Sequence, residues 1–278
     1  MSAVPASAPA VLDPAIADLD DDADLERRFG GLRRLYGDAA YARIRAAHVA
    51  VIGVGGVGSW TAEALARSGV GALTLIDLDQ VSESNVNRQV QALGSTIGAA
   101  KVEVLRRRIA DIHPGCAVEA VEEFVDETNW PALLRRRADA VVDACDNVRA
   151  KAVIAAWSRA TGTPLLIVGA AGGKRAAERV EVGDLADTTH DPMLASLRQR
   201  LRKLHGAPRT GAMGLACVFS RESVVAPLVD ECAIDGSLNC HGYGSSVAVT
   251  ATFGMVAAAR AIESVALPAT RPSATATL

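Results

Sequence analysis

A glycine-rich turn between an apolar strand and an amphipathic helix constrains this chain more than any other feature. The run 48–54 is apolar and typical of a buried strand, and 61–67 begins an amphipathic helix. Between them, Gly53, Gly55 and Gly58 match the pattern G-x-G-x-x-G. Glycines permit a tight turn and close backbone approach, while the start of the helix presents unpaired N–H groups to a phosphate. The stretch therefore predicts a βαβ unit with a phosphate-binding turn.

A second apolar run, 72–76, ends at Asp77, which lies about 20 residues beyond the glycines. An acidic residue at this spacing is positioned to bond a ribose hydroxyl. Further along, short apolar runs alternate with amphipathic stretches, a pattern typical of a parallel sheet covered by helices. The first helix is expected to break at Gly30–Gly31 and at Gly37. Predicted strands lie at 117–121, 140–143 and 164–168, and predicted helices at 25–47, 99–112, 128–138 and 147–161.

The spacing changes after Gly173, where predicted strands at 179–182, 216–219 and 224–225 accompany helices at 192–205 and 246–265. The sequence therefore predicts an α/β fold: a Rossmann-like, doubly wound, mostly parallel sheet with a C-terminal mixed extension. Residues 25–265 are expected to form one nucleotide-binding domain, with the extension at 175–245. The Ala/Pro/Asp-rich segment 1–24 is expected to be a disordered acidic tail, and 266–278 a loose tail.

The charge of the chain is unevenly distributed. Its formal net charge is −3, but the first 26 residues contain seven acidic residues and no lysine or arginine. The remainder holds 29 basic and 25 acidic residues, which is compatible with a polyanionic partner. Basic runs occur at 106–108, 135–137 and 197–203. Such runs are typical of solvated helix faces, and the alternative is contact with RNA phosphates.

The cysteine pattern argues against a structural zinc site. Five cysteines are scattered along the chain without a C-x-x-C pair. With no recognisable signal peptide, a cytoplasmic location with reduced thiols is expected. The apolar stretch 246–262 is the candidate for a membrane span, but it contains Thr250, Thr252 and Arg260 and is barely long enough. We therefore expect a buried helix and no stable membrane insertion.

Polar residues beyond Asp77 distinguish two uses of the glycine turn. A dehydrogenase has no need of an arginine shortly after its ribose acid, whereas a nucleotidyl transferase does, because charge accumulates on the α-phosphate and the leaving pyrophosphate. Arg88 and Lys101 supply two cations, and Asp143 or Asp146 could hold a magnesium ion. Each residue alone is equally typical of a helix cap or a surface position. The ordered set favours an ATP site over a nicotinamide site.

The polar set also carries a family resemblance. Five motifs resemble those of the ubiquitin-activating-enzyme-like adenylyltransferase superfamily. They are G-x-G-G-x-G at 53–58, D-x-D at 77–79, N-x-N-R-Q at 85–89, a downstream lysine at 101 and D-A-C-D-N at 143–147. Further stretches are similar to the tRNA threonylcarbamoyladenosine dehydratase family: R-F-G-G at 28–31, L-Y-G at 35–37, C-V-F-S at 217–220 and V-T-A-T-F-G at 249–254. The resemblance covers residues 25–263.

The resemblance implies an activity and a site. The family uses ATP to activate the threonyl carboxylate of threonylcarbamoyladenosine in tRNA, beside the anticodon, so that a nucleophile in the same side chain closes a ring with net loss of water. The implied nucleotide-binding residues are Gly53, Gly55, Gly56, Gly58, Asp77, Asp79, Asn85, Arg88, Gln89, Lys101, Asp146 and Asn147. The implied catalytic residues are Arg88, Lys101 and Asp146, with Asp146 holding Mg²⁺.

The resemblance also implies partners. Relatives of this fold are homodimers, and in some an arginine from the second subunit reaches ATP, a role open here to Arg28 or Arg34. Relatives that adenylate ubiquitin-like or sulfur-carrier proteins usually carry paired C-x-x-C zinc motifs, so their absence disfavours that alternative. A link to cysteine desulfurase systems leaves a sulfur-accepting thiol open at Cys217, Cys232 or Cys240, although a buried or inert cysteine is the favoured interpretation.

Overall fold

The computed structural model describes residues 24–225 and 243–267 of the 278. The strands among them are β1 (His48–Ile52), β2 (Ala72–Ile76), β3 (Ala117–Val121), β4 (Ala140–Asp143), β5 (Leu165–Val168), β6 (Val180–Asp184) and β7 (Ala216–Ser220). The α-helices are α1 (Leu25–Tyr36), α2 (Asp38–Ala46), α3 (Gly58–Arg67), α4 (Lys101–Ile112), α5 (Val148–Thr161), α6 (Pro192–Leu204) and α7 (Val247–Ala266). Nearly all of the two predicted tails lies outside the described residues.

The seven described strands form one sheet in the order β3-β2-β1-β4-β5-β7-β6. Neighbours from β3 through to β7 run parallel, and β6 pairs antiparallel with β7. Parallel neighbours need a crossover connection, and α3 supplies it between β1 and β2, which pair from His48 opposite Ala72. The order confirms the predicted doubly wound, mostly parallel sheet with a mixed C-terminal extension, since β6 and β7 come from that extension.

Helices cover both faces of the sheet because its central strands are apolar on both sides. Along β1, Val49 and Val51 face a core shared with α2, α3, α4 and α7, whereas Ala50 and Ile52 face a core shared with α5 and α6. All residues of β1 and β2 are buried, as a continuous apolar run predicts for a strand inside a parallel sheet. The carboxyl ends of β1, β2 and β4 consequently meet at one edge of the sheet.

The long apolar helix α7 packs across α3. Ser246 caps its first turn, where Oγ accepts a hydrogen bond from the backbone N of Ala248 (3.3 Å). At the crossing, a Cβ atom on Gly254 would lie 2.7 Å from the carbonyl oxygen of Val57, so this approach requires glycine. By length and composition, α7 is the one described helix that could span a membrane, yet ten of its residues are buried within the protein. The helix predicted at 246–265 therefore forms, with half of its residues packed against the protein and others, such as Met255, exposed.

The first helix differs from its prediction. α1 runs unbroken through Gly30–Gly31 and ends at Gly37, whose φ is +80°. Its N-terminus is capped by Asp24, whose Oδ1 accepts a hydrogen bond from the backbone N of Arg27 (3.0 Å). Phe29 on the same helix is 2 % exposed. A cap and a buried anchor therefore outweigh the low helix propensity of the two glycines.

Two other predicted elements do not form. The segment 128–138 makes a series of turns, with a cis peptide bond at Trp130–Pro131. The carboxylate of Asp126 accepts hydrogen bonds from both the backbone N and the hydroxyl of Thr128 (2.6 and 2.7 Å), and such local bonds compete with helix formation. Residues 224–225 belong to no strand, because the backbone N of the second donates to the carbonyl oxygen of Gly173 instead (2.8 Å).

Candidate nucleotide site

The glycine turn between β1 and α3 is closed by two glycines that the protein itself requires. Gly53 has a φ of +77°, and a Cβ atom there would lie 2.7 Å from the backbone N of Cys145. A Cβ atom on Gly58 would lie 1.8 Å from the carbonyl oxygen of Gly53. Both distances are shorter than the 3.0 Å that real Cβ atoms respect, so neither position admits a side chain. These two glycines set the shape of the turn.

Gly55 and Gly56 have a different environment. The nearest atom to a Cβ built on Gly55 is Nε2 of Gln89, 3.9 Å away, so the turn is open on this side. A phosphate can approach the backbone there as long as no Cβ stands in the way. Gly56 lies beneath the side chain of Arg88, whose Cγ and Cδ are both 3.6 Å from a built Cβ, and beside Cγ2 of Thr250 at 3.3 Å. The open side fits a phosphate-bearing ligand.

Asp77, directly after β2, holds the turn in place. Its Oδ2 accepts a hydrogen bond from the backbone N of Val54 (2.8 Å), and its Oδ1 accepts one from the backbone N of Asp79 (2.9 Å). Burial raises the pKa of the Asp77 carboxyl group, against the opposing effects of the Lys101 charge and of the two backbone donors. Each carboxylate oxygen keeps a second lone pair, so Asp77 can also accept a hydrogen bond from a ribose hydroxyl.

Lys101 and Asp79 form an ion pair beside Asp77. Lys101 is the first residue of α4 and is only 4 % exposed, and its Nζ lies 2.7 Å from Oδ2 of Asp79. The backbone N of Lys101 also donates to the carbonyl oxygen of Asp79 (3.0 Å). The loop from β2 to α4 is therefore closed at its base. The Asp79 carboxylate is half exposed, so the compact ammonium charge of Lys101 lies where a phosphate oxygen could share it.

Arg88 is held over the glycine turn through its backbone. Its carbonyl oxygen accepts hydrogen bonds from Nε1 of Trp60 on α3 (3.0 Å) and from Oγ1 of Thr250 on α7 (3.3 Å). Its Nη1 donates to the carbonyl oxygen of Ser84 (2.5 Å) and to Oδ1 of Asn87 (3.0 Å). Two helices that are distant in sequence thus position the segment that carries this guanidinium group.

Asn85 and Gln89 are buried in the same segment, and each supports its conformation. Oδ1 of Asn85 accepts a hydrogen bond from the backbone N of Ser82 (3.1 Å), which caps a short 3-10 turn. Oε1 of Gln89 accepts one from Nε2 of Gln91 (3.2 Å), which also donates to the carbonyl oxygen of Val54 in the glycine turn (2.9 Å). The amide of Gln89 lies beside the turn, 3.9 Å from a Cβ built on Gly55, and the roles of Asn85 and Gln89 toward a nucleotide stay predictions.

The acidic residues that follow β4 have contrasting environments. Asp143 is fully buried, and its Oδ1 pairs with Nζ of Lys151, which is fully buried as well (3.1 Å). Asp146 is exposed, so it is the carboxylate that can reach a ligand at this edge. Asn147 caps α5, since its Oδ1 accepts hydrogen bonds from two backbone N–H groups of the first turn (2.9 and 3.2 Å). The cap uses only the Oδ1 atom of Asn147, and a role of this residue toward a nucleotide stays a prediction.

Lys151 is a residue that the sequence motifs do not reveal. Its Nζ also donates to the carbonyl oxygens of Asp143 (3.1 Å) and Val168 (2.9 Å), which end β4 and β5. Desolvation is the largest influence on Lys151 and lowers its pKa, but the Asp143 carboxylate together with Cys145 and Cys217 outweighs it, so the pKa of the ammonium group is raised. The signal in the sequence is a lysine on the apolar face of a predicted helix, which does not identify its partner.

Comparison with known proteins agrees with this geometry. The model of the ThiF family matches residues 28–277. The chain belongs to the ThiF family. Membership confirms the resemblance that the glycine, D-x-D and N-x-N-R-Q motifs indicate.

Two relatives and one solved structure are similar to this chain over most of its length. A tRNA threonylcarbamoyladenosine dehydratase of Escherichia coli is 43 % identical over 256 residues, which cover 88 % of this chain and 96 % of that protein. One of Haemophilus influenzae is 41 % identical over 242 residues, covering 86 % and 93 %. The crystal structure of the E. coli dehydratase in complex with ATP matches with a TM-score of 0.80 at 43 % identity, covering 87 % of this chain and 96 % of that one.

The described cysteines of this ThiF-family chain are poorly suited to accept sulfur. Cys217 on β7 is fully buried, and burial raises the pKa of its thiol. Sγ of Cys145 donates to Oδ1 of Asp143 (3.0 Å), and burial raises the pKa of this thiol as well. Reactive cysteines have a lowered pKa, so the structure favours the inert interpretation at Cys217. Cys232 and Cys240 lie outside the described residues.

The two candidate arginines of α1 lie in different settings. Nη1 of Arg28 donates to the carbonyl oxygens of Asp111 and Ile112, 2.8 Å from each, at the C-terminal end of α4. A cation there satisfies carbonyl groups that have no partner within the helix. Arg34 is exposed. Arg28 is therefore engaged within its own chain, which leaves Arg34 as the better candidate for reaching a second subunit.

Proposed function

We propose that this chain is an ATP-dependent dehydratase that cyclises threonylcarbamoyladenosine next to the anticodon of tRNA by activating its threonyl carboxylate. The observation that carries the proposal is the convergence of an open glycine turn, the cations Arg88 and Lys101, and the exposed Asp146 at one edge of the sheet. The similarity to an E. coli dehydratase solved in complex with ATP supports the choice of nucleotide and substrate.

In the proposed mechanism, a carboxylate oxygen of the substrate attacks a phosphorus atom of ATP, and the rest of the triphosphate leaves. Gly55 leaves the space for the phosphates, while Asp77 binds the ribose. Arg88 and Lys101 neutralise the charge that accumulates on the phosphates as the bond breaks. A nucleophile in the same side chain then attacks the activated carbonyl, and the phosphate-bearing group departs with the former carboxylate oxygen. The net change in the nucleoside is the loss of one water.

The remaining residues of the predicted set support this arrangement. Gly53 and Gly58 shape the turn, and Gly56 lets the stem of Arg88 lie close above it. We assign binding roles at the triphosphate or its rim to the four polar residues Asp79, Asn85, Gln89 and Asn147. Their hydrogen bonds within the protein hold them at this edge before any nucleotide arrives.

We propose Asp146 as the ligand of a magnesium ion. Across residues 24–225 and 243–267, no group of three or more His, Cys, Asp or Glu side chains is arranged as a metal site. Mg²⁺ commonly binds through one or two carboxylates together with phosphate oxygens and water, so a single exposed carboxylate beside an ATP site fits its requirements. When bound, Mg²⁺ supplies additional positive charge to the phosphates.

We further propose that the enzyme is a cytoplasmic homodimer. Apolar side chains exposed on α7 support a contact with a second copy, since Val247 and Met255 are 44 % and 42 % exposed. Arg34 is the arginine assigned to the second subunit's nucleotide. A cysteine desulfurase partner would need Cys232 or Cys240 as the sulfur acceptor, given the burial of Cys217.

The proposed function is tested by incubating the protein with ATP and tRNA that carries threonylcarbamoyladenosine. We expect mass spectrometry of the digested tRNA to show the loss of one water from that nucleoside. The proposal fails if the nucleoside is unchanged and pyrophosphate exchange appears only when a carrier protein is added. That result would favour adenylation of a ubiquitin-like or sulfur-carrier protein.

Two variants test the assigned charges. Arg88→Ala and Asp146→Ala are expected to abolish dehydration, because each removes a charge next to the phosphates rather than a buried apolar group. Removing one group that stabilises developing charge typically costs about 10²- to 10³-fold in kcat. Circular dichroism and thermal unfolding should match the wild type. Wild-type turnover in either variant would show that its residue is misassigned.

A further inference from the structure

A basic cleft runs along the solvent side of α6. It has a volume of about 570 Å³ and is lined by Ala195, Arg198, Gln199, Arg202, Lys203 and Arg209. Four of these six residues are cations and none is acidic. We propose that this cleft docks the phosphate backbone of the tRNA substrate. The inference rests on the proposed function and identifies the surface that receives the nucleic acid.

The cleft orients its positive charges without cancelling them. Nη1 of Arg198 donates to the carbonyl oxygens of Leu185 (2.9 Å) and Thr188 (3.0 Å), and Nε of Arg202 donates to the carbonyl oxygen of Pro208 (3.1 Å). These acceptors are neutral, so they hold the guanidinium groups in position while the charge remains. The other two cations of the cleft, Lys203 and Arg209, are exposed. Fixed, unneutralised cations are what a phosphate backbone requires.

The basic run on α4 has a different charge balance. Arg106 pairs with Glu103 at 2.7 Å, and Arg108 pairs with Glu63 at 2.7 Å. A carboxylate at this distance offsets most of the long-range field of the cation. α4 also covers the opposite face of the sheet from α6. The solvated-face interpretation therefore suits the α4 run, whereas the α6 cleft keeps a surplus of positive charge.

The position of α6 connects the cleft to the nucleotide site. Asp191 caps α6 by accepting a hydrogen bond from the backbone N of Leu194 (2.9 Å), and its other oxygen accepts one from the backbone N of Ala170 (2.8 Å). Ala170 follows β5 at the carboxyl edge of the sheet. The lining residues Ala195 to Lys203 then extend about 12 Å along the helix, at 1.5 Å per residue. The cleft thus leads away from the edge where the nucleoside must react.

The test is the double variant Lys203→Ala/Arg209→Ala in the full chain, with tRNA binding measured at several salt concentrations. If two phosphate contacts are lost, the slope of log K against log salt should shrink by about 2, and affinity at 0.15 M salt should fall roughly 30-fold. Affinity for ATP should be unchanged, because both residues lie outside the nucleotide site. The charge-preserving variant Lys203→Arg/Arg209→Lys should restore the wild-type slope.

The matched control is Arg106→Ala/Arg107→Ala, which removes the same charge from the opposite face and should leave the salt slope unchanged. Equal slopes for the wild type and the Lys203→Ala/Arg209→Ala variant would overturn the docking proposal, as would failure of the wild type to bind tRNA. Wild-type protein that binds tRNA through this cleft but leaves the nucleoside intact would refute the proposed function while supporting the docking surface.

Discussion

The placement of Arg88 depends on two hydrogen-bond donors that no motif identifies. Trp60→Phe removes the indole N–H that lies 3.0 Å from the Arg88 carbonyl oxygen, and Thr250→Val removes the hydroxyl group at 3.3 Å. Val has the shape of Thr without its hydroxyl group, and Phe keeps an aromatic ring in place of the larger indole. In either single variant the carbonyl oxygen keeps one of these donors, whereas the double variant removes both.

The expected loss is therefore larger than the product of the single effects. A neutral hydrogen bond contributes about 0.5–1.5 kcal/mol, whereas an acceptor that loses both of these donors in a partly buried position costs up to about 1–3 kcal/mol. In the double variant the Arg88 segment should shift until water reaches the carbonyl oxygen, and that movement displaces the guanidinium group from the turn. Since about 1.4 kcal/mol corresponds to a tenfold change in rate, we expect kcat to fall about 3-fold in each single variant, a product of about 9-fold, and roughly 20- to 100-fold in the double.

The assay is the dehydration of threonylcarbamoyladenosine in tRNA, followed by mass spectrometry, with thermal unfolding of each variant alongside. Thr252→Val is the matched control, because that hydroxyl group donates to the carbonyl oxygen of Ala248 within α7 (2.7 Å) rather than to the Arg88 segment. The reasoning is refuted if the double variant loses no more kcat than the product of the single variants. A loss in Thr252→Val equal to that in Thr250→Val would also refute it.

Two further predictions follow from the glycine turn and from a buried histidine. Gly55→Ala should fold with wild-type stability but lose roughly tenfold or more in ATP affinity by calorimetry, about 1.4 kcal/mol. Gly58→Ala should not yield folded protein, because its Cβ would lie 1.8 Å from the Gly53 carbonyl oxygen. The same outcome for both variants would contradict the assignment of Gly55 to ligand binding and of Gly58 to the shape of the turn. Burial, helped by the Arg45 charge, lowers the pKa of His113 from 6.5 to about 4. On acidification, His113 is therefore protonated in the unfolded chain before it is protonated in the folded chain. The stability that depends on neutral His113 is complete above pH 6.5 and is lost as the pH falls toward 4. The free energy of unfolding in urea should depend less steeply on pH over that range in His113→Phe than in the wild type. An unchanged pH dependence would contradict the role of His113.

The elements around the nucleotide site could be predicted because their determinants are local in sequence. An apolar run, three spaced glycines and an amphipathic stretch specify β1, the turn and α3 without reference to the rest of the chain. Asp77 follows from the same spacing rule, and the structure places its carboxylate against the turn, 2.8 Å from the backbone N of Val54. The alternation of strand and helix then leads to the observed sheet.

Features that depend on distant partners could not be predicted in this way. The hydrogen bond from Lys151 to the end of β5 and the contact of Arg28 with the end of α4 join segments whose relation appears only in the folded chain. The same is true of the hydrogen bond from Thr250 on α7 to the carbonyl oxygen of Arg88, which is 162 residues away in sequence. The failed helix at 128–138 has another cause, because side-chain bonds from one aspartate compete with a helical pattern of apolar residues.

Lys151 joins the ends of two neighbouring strands beneath the proposed site. Its ammonium group donates one hydrogen bond to the last carbonyl group of β4 and another to that of β5, so the two strand ends are joined through a single donor group. A site supported by such a rigid base can change through its loops without disturbing the base. Substitutions in the Arg88 segment can therefore alter substrate preference during evolution while the sheet and its nucleotide turn stay the same.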